Sequence, residues 1–238
     1  YYAQIRSDSS SCRAEHTVLT GSGQLMARKV CRFFANDQAA IDAFEKETLY
    51  AELAAKLGTG PVIYNHYIKK WTNAVFLYGV IEMEKMTTSM KTRFIEHFDG
   101  TCKKQCVDGS CCKPLSLYDV RQLEAIVKAN WKAGFMHMDM HPENIMYAAP
   151  SATRIKVIDY GRVISRQSIT QGCDTKDEFH GIAEGGSVAI LGPKQALAES
   201  FAELVLSAER YQVPPEFYQA VVALSKGAFW TDEEWREA

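Results

Sequence analysis

The sequence predicts an α+β chain in two parts. A β-rich first lobe with one helix covers residues 1–84, and a reduced, mostly helical second lobe covers residues 85–238. Three observations carry this division. Four strand-like runs and one helical stretch, separated by turn chemistry, fill the first third. A polar, Cys- and Lys-rich segment at about 99–114 reads as an inserted loop. From Ser116 onward apolar residues recur mainly at helical spacing, interrupted by short apolar runs at 145–147 and 155–158.

Each element has a local reason. Residues 15–20 and 24–34 are strand-like, and Gly21-Ser22-Gly23 between them is hairpin-turn chemistry. Asp37 is placed to cap a helix that runs to about Leu57, with Leu49, Leu53 and Leu57 on one stripe and Gly58 as its stop. Residues 62–68 and 74–83 are two further strands. Ser116 and Asp119 open a helix as a capping box, and Val120, Leu123, Val127 and Trp131 form its apolar face. From about Gln195 the chain is helical again, with Leu197, Phe201, Leu204 and Ala208 on one face. Thr231 and Glu234 cap a last helix.

The 238 residues have room for one large domain or two small lobes. At 47% apolar and 24% charged the composition is that of a globular protein, which excludes a disordered or fibrous chain. A net charge of −2 argues against a general binder of nucleic acid or anionic membranes, so the expected partners are proteins. The longest clean apolar run, 74–81, is far too short to span a bilayer. The chain opens Tyr1-Tyr2 rather than Met and shows no signal peptide, so the natural N-terminus is expected upstream. Of seven cysteines, four crowd into 102–112, while Cys12, Cys31 and Cys173 are scattered. That is not the spread of a disulfide scaffold, and a reducing, cytoplasmic setting is expected.

The chemistry concentrates in His137-Met-Asp139-Met-His141-Pro-Glu-Asn144, followed by Val157-Ile-Asp159-Tyr160-Gly161. Asp159 and Asn144 offer the hard oxygen ligands that Mg²⁺ takes. Asp139 is left to orient a hydroxyl nucleophile and accept its proton. These are the parts that phosphoryl transfer needs, since positioning and charge stabilisation supply most of its catalysis.

The stretch resembles the catalytic loop and metal-binding triplet of the protein-kinase-like superfamily, H-x-D-x-x-x-x-N followed by D-[FY]-G. Other parts follow in the family's order. Ala27-Arg28-Lys29-Val30 is similar to the A-x-K strand. Glu47 lies on the following helix to pair with Lys29, with Glu45 and Glu52 as competing candidates. Residues 80–86 resemble a hinge, with Met83 near the gatekeeper position. The resemblance covers roughly 27–161. It implies that Lys29, positioned by Glu47, holds the α/β-phosphates of ATP and that Asp159 and Asn144 bind Mg²⁺ or Mn²⁺. It further implies that Asp139 orients the acceptor and that the backbone from Glu84 to Met86 takes the adenine edge. His137 is expected to scaffold the backbone near Asp159.

Departures from the family shape the expected function. The glycine-rich phosphate loop is missing. In its place Ser9, Ser10 and Ser11 either contact phosphate through backbone N–H and hydroxyl groups, or only close a turn. His141 stands where protein kinases place a lysine, and D-x-H-P-x-N is more like aminoglycoside and choline kinases. It either contacts the γ-phosphate side or packs. Only a short, polar run follows Gly161, with no A-P-E segment, which is similar to compact effector kinases of bacterial pathogens and kinases of large DNA viruses. The expected activity is therefore a minimal Ser/Thr protein kinase acting on a protein substrate, with a host or activating protein as further partner. The alternatives are a small-molecule kinase, a pseudokinase binding module and an adenylyltransferase. Cys102, Cys106, Cys111 and Cys112 have enough thiolates for a tetrahedral Zn²⁺ site but match no paired C-x-x-C spacing. Disulfides and free loop thiols are the other readings.

Overall fold

The computed structural model describes residues 11–18, 25–70, 75–101, 113–171 and 192–238. It divides into two units, one comprising 1–85 with 159–161 and the other 86–158 with 162–238.

The first unit is built on a four-stranded antiparallel sheet in the order β1-β2-β4-β3: β1 Ser11–Val18, β2 Leu25–Phe34, β3 Ile63–Lys70 and β4 Phe76–Glu84. β2 is flanked on both sides, and Lys29 sits opposite Ala14 on β1 and Ile81 on β4. Helix α1, Gln38–Leu57, begins where Asp37 Oδ1 accepts from the Ala40 amide at 3.0 Å. It ends at Gly58, whose left-handed φ of +73° suits a residue without Cβ.

The buried face of α1 differs from the expected leucine stripe. Phe44, Glu47, Thr48, Ala51 and Ala54 are buried, whereas Leu49 is 62% exposed and Leu57 39%. The sheet selects that face. The Phe44 ring lies over Gly79 of β4 so closely that a Cβ there would fall 2.6 Å from its Cε2. Small residues at 51 and 54 allow the helix backbone near its packing partners, which a leucine row would hold off. Cys12, Cys31, Phe33, Phe44 and Ile81 form the unit's core. The two cysteines, read from sequence as scattered, stand directly opposite in the β1–β2 register and are joined as a disulfide. Strand register brought together positions 19 apart, which cysteine spacing alone did not suggest.

The second unit has the larger core. Strand β5, Thr88–Ser89, pairs with β7, Ile145–Tyr147, which pairs with β8, Ile155–Val157; β6, Phe135–Met136, pairs with β9, Ile164–Ser165. Around these short ladders lie α2 Met90–Phe98, α3 Leu117–Lys132, α4 Arg166–Gln171, α5 Pro193–Arg210, α6 Pro215–Ser225 and α7 Asp232–Glu237. The faces read from sequence on α3 and α5 are buried together with Phe217, Val221 and Trp235. Helix α2 was not anticipated. Its buried residues are Met90, Arg93 and Phe94, and the arginine breaks the apolar pattern that would have announced it.

Arg93 is 3% exposed and fully used. Its guanidinium donates to the Pro150 and Ala152 carbonyls and stacks 3.3 Å over the Tyr147 ring. The Tyr147 hydroxyl donates to Asp119 at 3.1 Å, and Asp119 also accepts from the Ser116 amide at the start of α3. This network ties α2, α3 and β7 into one frame behind the loop from His137 to Asn144. Among the described residues no helix is long and apolar enough to cross a membrane.

Candidate active site

Two clusters hold the residues singled out from sequence. The first lies in the β-rich unit. Lys29 Nζ donates to Glu47 Oε1 at 2.6 Å and to Asp159 Oδ1 at 2.9 Å. Of the three glutamates open as partners, Glu45 is exposed and Glu52 is engaged with His66 Nε2 at 3.0 Å, so the structure selects Glu47. Burial opposes the charge on Lys29, but the two carboxylates outweigh it and hold the ammonium above its ordinary pKa. Glu47 goes the same way for a different reason. Burial and the neighbouring Asp159 charge raise its pKa, and Lys29 offsets only part of that.

Asp159 enters this cluster in a left-handed conformation, φ +64°, one of three non-glycine residues with positive φ among those described. Such a backbone costs roughly 1–3 kcal/mol and persists only where surrounding contacts hold it. Here the adjacent Tyr160 supplies an anchor. Its ring is buried, its hydroxyl lies against Thr59 beyond the end of α1, and burial raises its pKa. A Cβ at Gly60 would come within 3.0 Å of that hydroxyl.

The second cluster is the β6–β7 loop of the helical unit. His137 Nε2 donates to the Ile158 carbonyl at 3.0 Å, and the Ile158 amide donates to the Asn144 carbonyl at 2.9 Å. Together these hold the loop against the end of β8. Met138, the next residue, has φ +59°, a strained value for a side chain of its size. The Met140 amide donates to the Ser200 carbonyl of α5 at 2.9 Å.

Asp139 is the centre of this loop. Asn144 Nδ2 donates to its carbonyl at 3.0 Å and to Oδ2 at 3.2 Å. With its amide nitrogen so used, Asn144 keeps Oδ1 as the ligating atom. The His141 ring is set by the Glu143 amide, which donates to Nδ1 at 3.1 Å; that leaves Nε2 to carry the proton, 3.8 Å from Asp139 Oδ2. Glu143 is held in turn by Lys91.

Arg162 completes the cluster and was missed in the sequence. Its Nη1 lies 3.4 Å from Asp139 Oδ1. The available signal was a charged residue directly after Asp159-Tyr160-Gly161, close in sequence to the catalytic motif.

The remaining sequence assignments fall as follows. Glu84 pairs with Met26 across the sheet, and its amide is committed to the Val62 carbonyl at 2.8 Å. Met86 is buried. Ser11 opens β1 opposite Arg32, so it belongs to a strand and not to a phosphate loop. Ser9, Ser10, the Gly21–Gly23 turn and all four clustered cysteines lie outside the described residues. Among the described residues no group of three or more His, Cys, Asp or Glu could hold a metal ion, which leaves the Zn²⁺ expectation without support.

The donor sets suit the nucleotide and cation that the fold implies. A lysine held by two carboxylates keeps its charge, as a phosphate ligand must. Asp159 and Asn144 offer the carboxylate and amide oxygens that Mg²⁺ prefers.

No protein-family model matches the chain, and no curated protein does. Solved structures do. WaaP in complex with acyl carrier protein is 13% identical, over 95% of this chain and 77% of that one, with a TM-score of 0.46. The yeast RNA Pol II CTD kinase CTDK-1 complex is 11% identical, over 64% of this chain and 43% of that one, with a TM-score of 0.44. An antiparallel sheet bearing Lys29, a helix that brings Glu47 to it, and a helical unit whose loop carries Asp139 and Asn144 ahead of Asp159 give this chain a protein-kinase-like fold.

Proposed function

We propose that the chain is an ATP- and Mg²⁺-dependent phosphotransferase that acts on Ser or Thr hydroxyls of proteins. The observation that carries this reading is the Lys29 ammonium held between Glu47 and Asp159. A buried charge triad is costly to build for stability alone, because desolvation offsets much of the Coulombic gain. It is well suited to holding a cation ready for phosphate.

In this reading Lys29 binds the α/β-phosphates, and Glu47 fixes where the ammonium stands. Asp159 and Asn144 hold Mg²⁺, which when bound neutralises charge on the phosphate oxygens. Asp139 accepts the proton of the acceptor hydroxyl as the new P–O bond forms and ADP leaves. Asn144 holds the Asp139 carboxylate in orientation through Nδ2. A protein substrate in a cytoplasmic setting, with an activating protein partner, remains the proposed context.

His141 favours a second reading. Its ring is pinned by the Glu143 amide beside Asp139, as in a D-x-H-P-x-N loop that serves a small-molecule acceptor.

The test is incubation of the purified chain with Mg²⁺ and ATP labelled at the γ- or the α-phosphate, with protein and small-molecule acceptors supplied separately. The expected result is γ-label on protein. In Asp139→Ala, transfer should fall roughly 10²–10⁴-fold while nucleotide binding persists. Full transfer by that variant would refute the role of Asp139. An α-label would make the enzyme an adenylyltransferase.

A further inference from the structure

Asp139 has more donors around it than one carboxylate needs. Asn144 already holds Oδ2, and His141 Nε2 stands 3.8 Å from the same oxygen. Arg162 brings a second cationic group to Oδ1, through one long contact of 3.4 Å. Its side chain is 54% exposed, against 20% for Asp139. Among the described residues no other polar partner of Arg162 is found, so most of its five N–H donors face solvent.

This is not the geometry of a structural ion pair. A guanidinium serving a carboxylate for stability engages it through two parallel, short hydrogen bonds. A single long contact at an exposed arginine is worth little and is readily exchanged. The atom it touches is also the one an incoming hydroxyl must reach. When an acceptor arrives at Asp139 Oδ1, Arg162 has to give way, and its planar fork is then free for a better anion at the same place.

We infer that Arg162 is a specificity-determining residue that selects acceptors carrying an acidic side chain beside the hydroxyl, exchanging Asp139 for that carboxylate as substrate binds. The inference rests on the proposed phosphotransfer to protein and names its substrate class: an acidic peptide segment.

The experiment compares two peptides that differ only in the residues flanking one Ser, Asp in one and Asn in the other. The full chain is used, with circular dichroism as the check that each variant is folded. Binding is read by fluorescence anisotropy without nucleotide, and transfer is read separately as γ-label kcat/KM. The wild-type chain should prefer the Asp peptide roughly tenfold or more in both readouts, the range of a charge-assisted hydrogen bond. Arg162→Gln should bring that ratio close to one. Arg162→Lys, which keeps the charge but loses the fork, should restore part of it. Equal binding of the two peptides by the wild-type chain, or an equal loss for both in Arg162→Gln, would overturn the inference. Charge-selective binding without transfer would sink the kinase reading and leave Arg162 as an acidic-peptide contact. Transfer without charge preference would do the reverse.

Discussion

The carboxylates of Glu47 and Asp139 each meet a basic side chain, and the two settings are opposite. Glu47 is buried to 5% exposure and meets Lys29 at 2.6 Å, in a unit whose core is small and whose α1 faces the sheet through Phe44, Ala51 and Ala54. Asp139 is partly open and meets Arg162 at 3.4 Å, on a loop fixed from behind by His137, Asn144 and α5. In the first cluster the surroundings exclude water, so the charges are committed to one another and raise the pKa of Lys29. In the second the backbone is fixed and the charged tips are exchangeable. A charge that must keep its state and place needs the first arrangement. A carboxylate that must receive a visiting hydroxyl needs the second.

This contrast can be broken by substitution. The largest expected effect is that of Asp139→Ala, a loss of transfer of roughly 10²–10⁴-fold with little change in unfolding temperature, because an accessible carboxylate contributes little to stability. Glu47→Ala should damage both properties. It leaves a buried ammonium short of a partner and should cost about 3–5 kcal/mol in denaturant unfolding, with nucleotide binding lost as well. An unfolding curve unchanged by Glu47→Ala would remove the distinction between the clusters.

Titration sharpens the comparison further. Lys29 has its pKa raised above the ordinary 10.5, so its contribution to stability is complete below that pH and is lost as pH rises beyond it. The alkaline limb of the stability profile should therefore weaken in Lys29→Met. Glu47 has its pKa raised above 4.5, so the folded chain takes up this proton before the unfolded one does. For that group alone stability rises as pH falls through the interval above 4.5. Nucleotide affinity moves the other way, because a neutral Glu47 no longer holds Lys29. A binding profile measured against pH should show its acid midpoint above 4.5, and a midpoint at or below that value would contradict the buried setting of Glu47. The smallest effect is expected for Arg162→Ala, about 0–1 kcal/mol in unfolding, as for other exposed ion pairs.

Much of this was legible in the residues. Strand alternation, the Asp37 and Gly58 signals and the Ser116–Asp119 capping box placed their elements, because caps and periodicity act over a few neighbouring residues. The order Lys29, Glu47, Asp139, Asn144, Asp159 was readable for the same reason: each residue sits in a short motif. Three features were not. The buried face of α1 was decided by Gly79, which admits the Phe44 ring, and not by the leucine repeat. Helix α2 was hidden by Arg93, whose burial depends on carbonyls some 57–59 residues away and on Tyr147. Arg162 carried no motif of its own, and its contact with Asp139 spans 23 residues.

Sequence by itself determined which residues could do the chemistry and in which local element each stands, since propensity, capping and motif spacing are short-range effects. Tertiary structure alone decided which of them meet. Glu47 was chosen over Glu45 and Glu52 because the buried face of α1 carries it to Lys29. The Cys12–Cys31 pair came from register. The difference between a sealed triad and an open carboxylate came from burial, a property that belongs to the packed chain and to no single stretch of it.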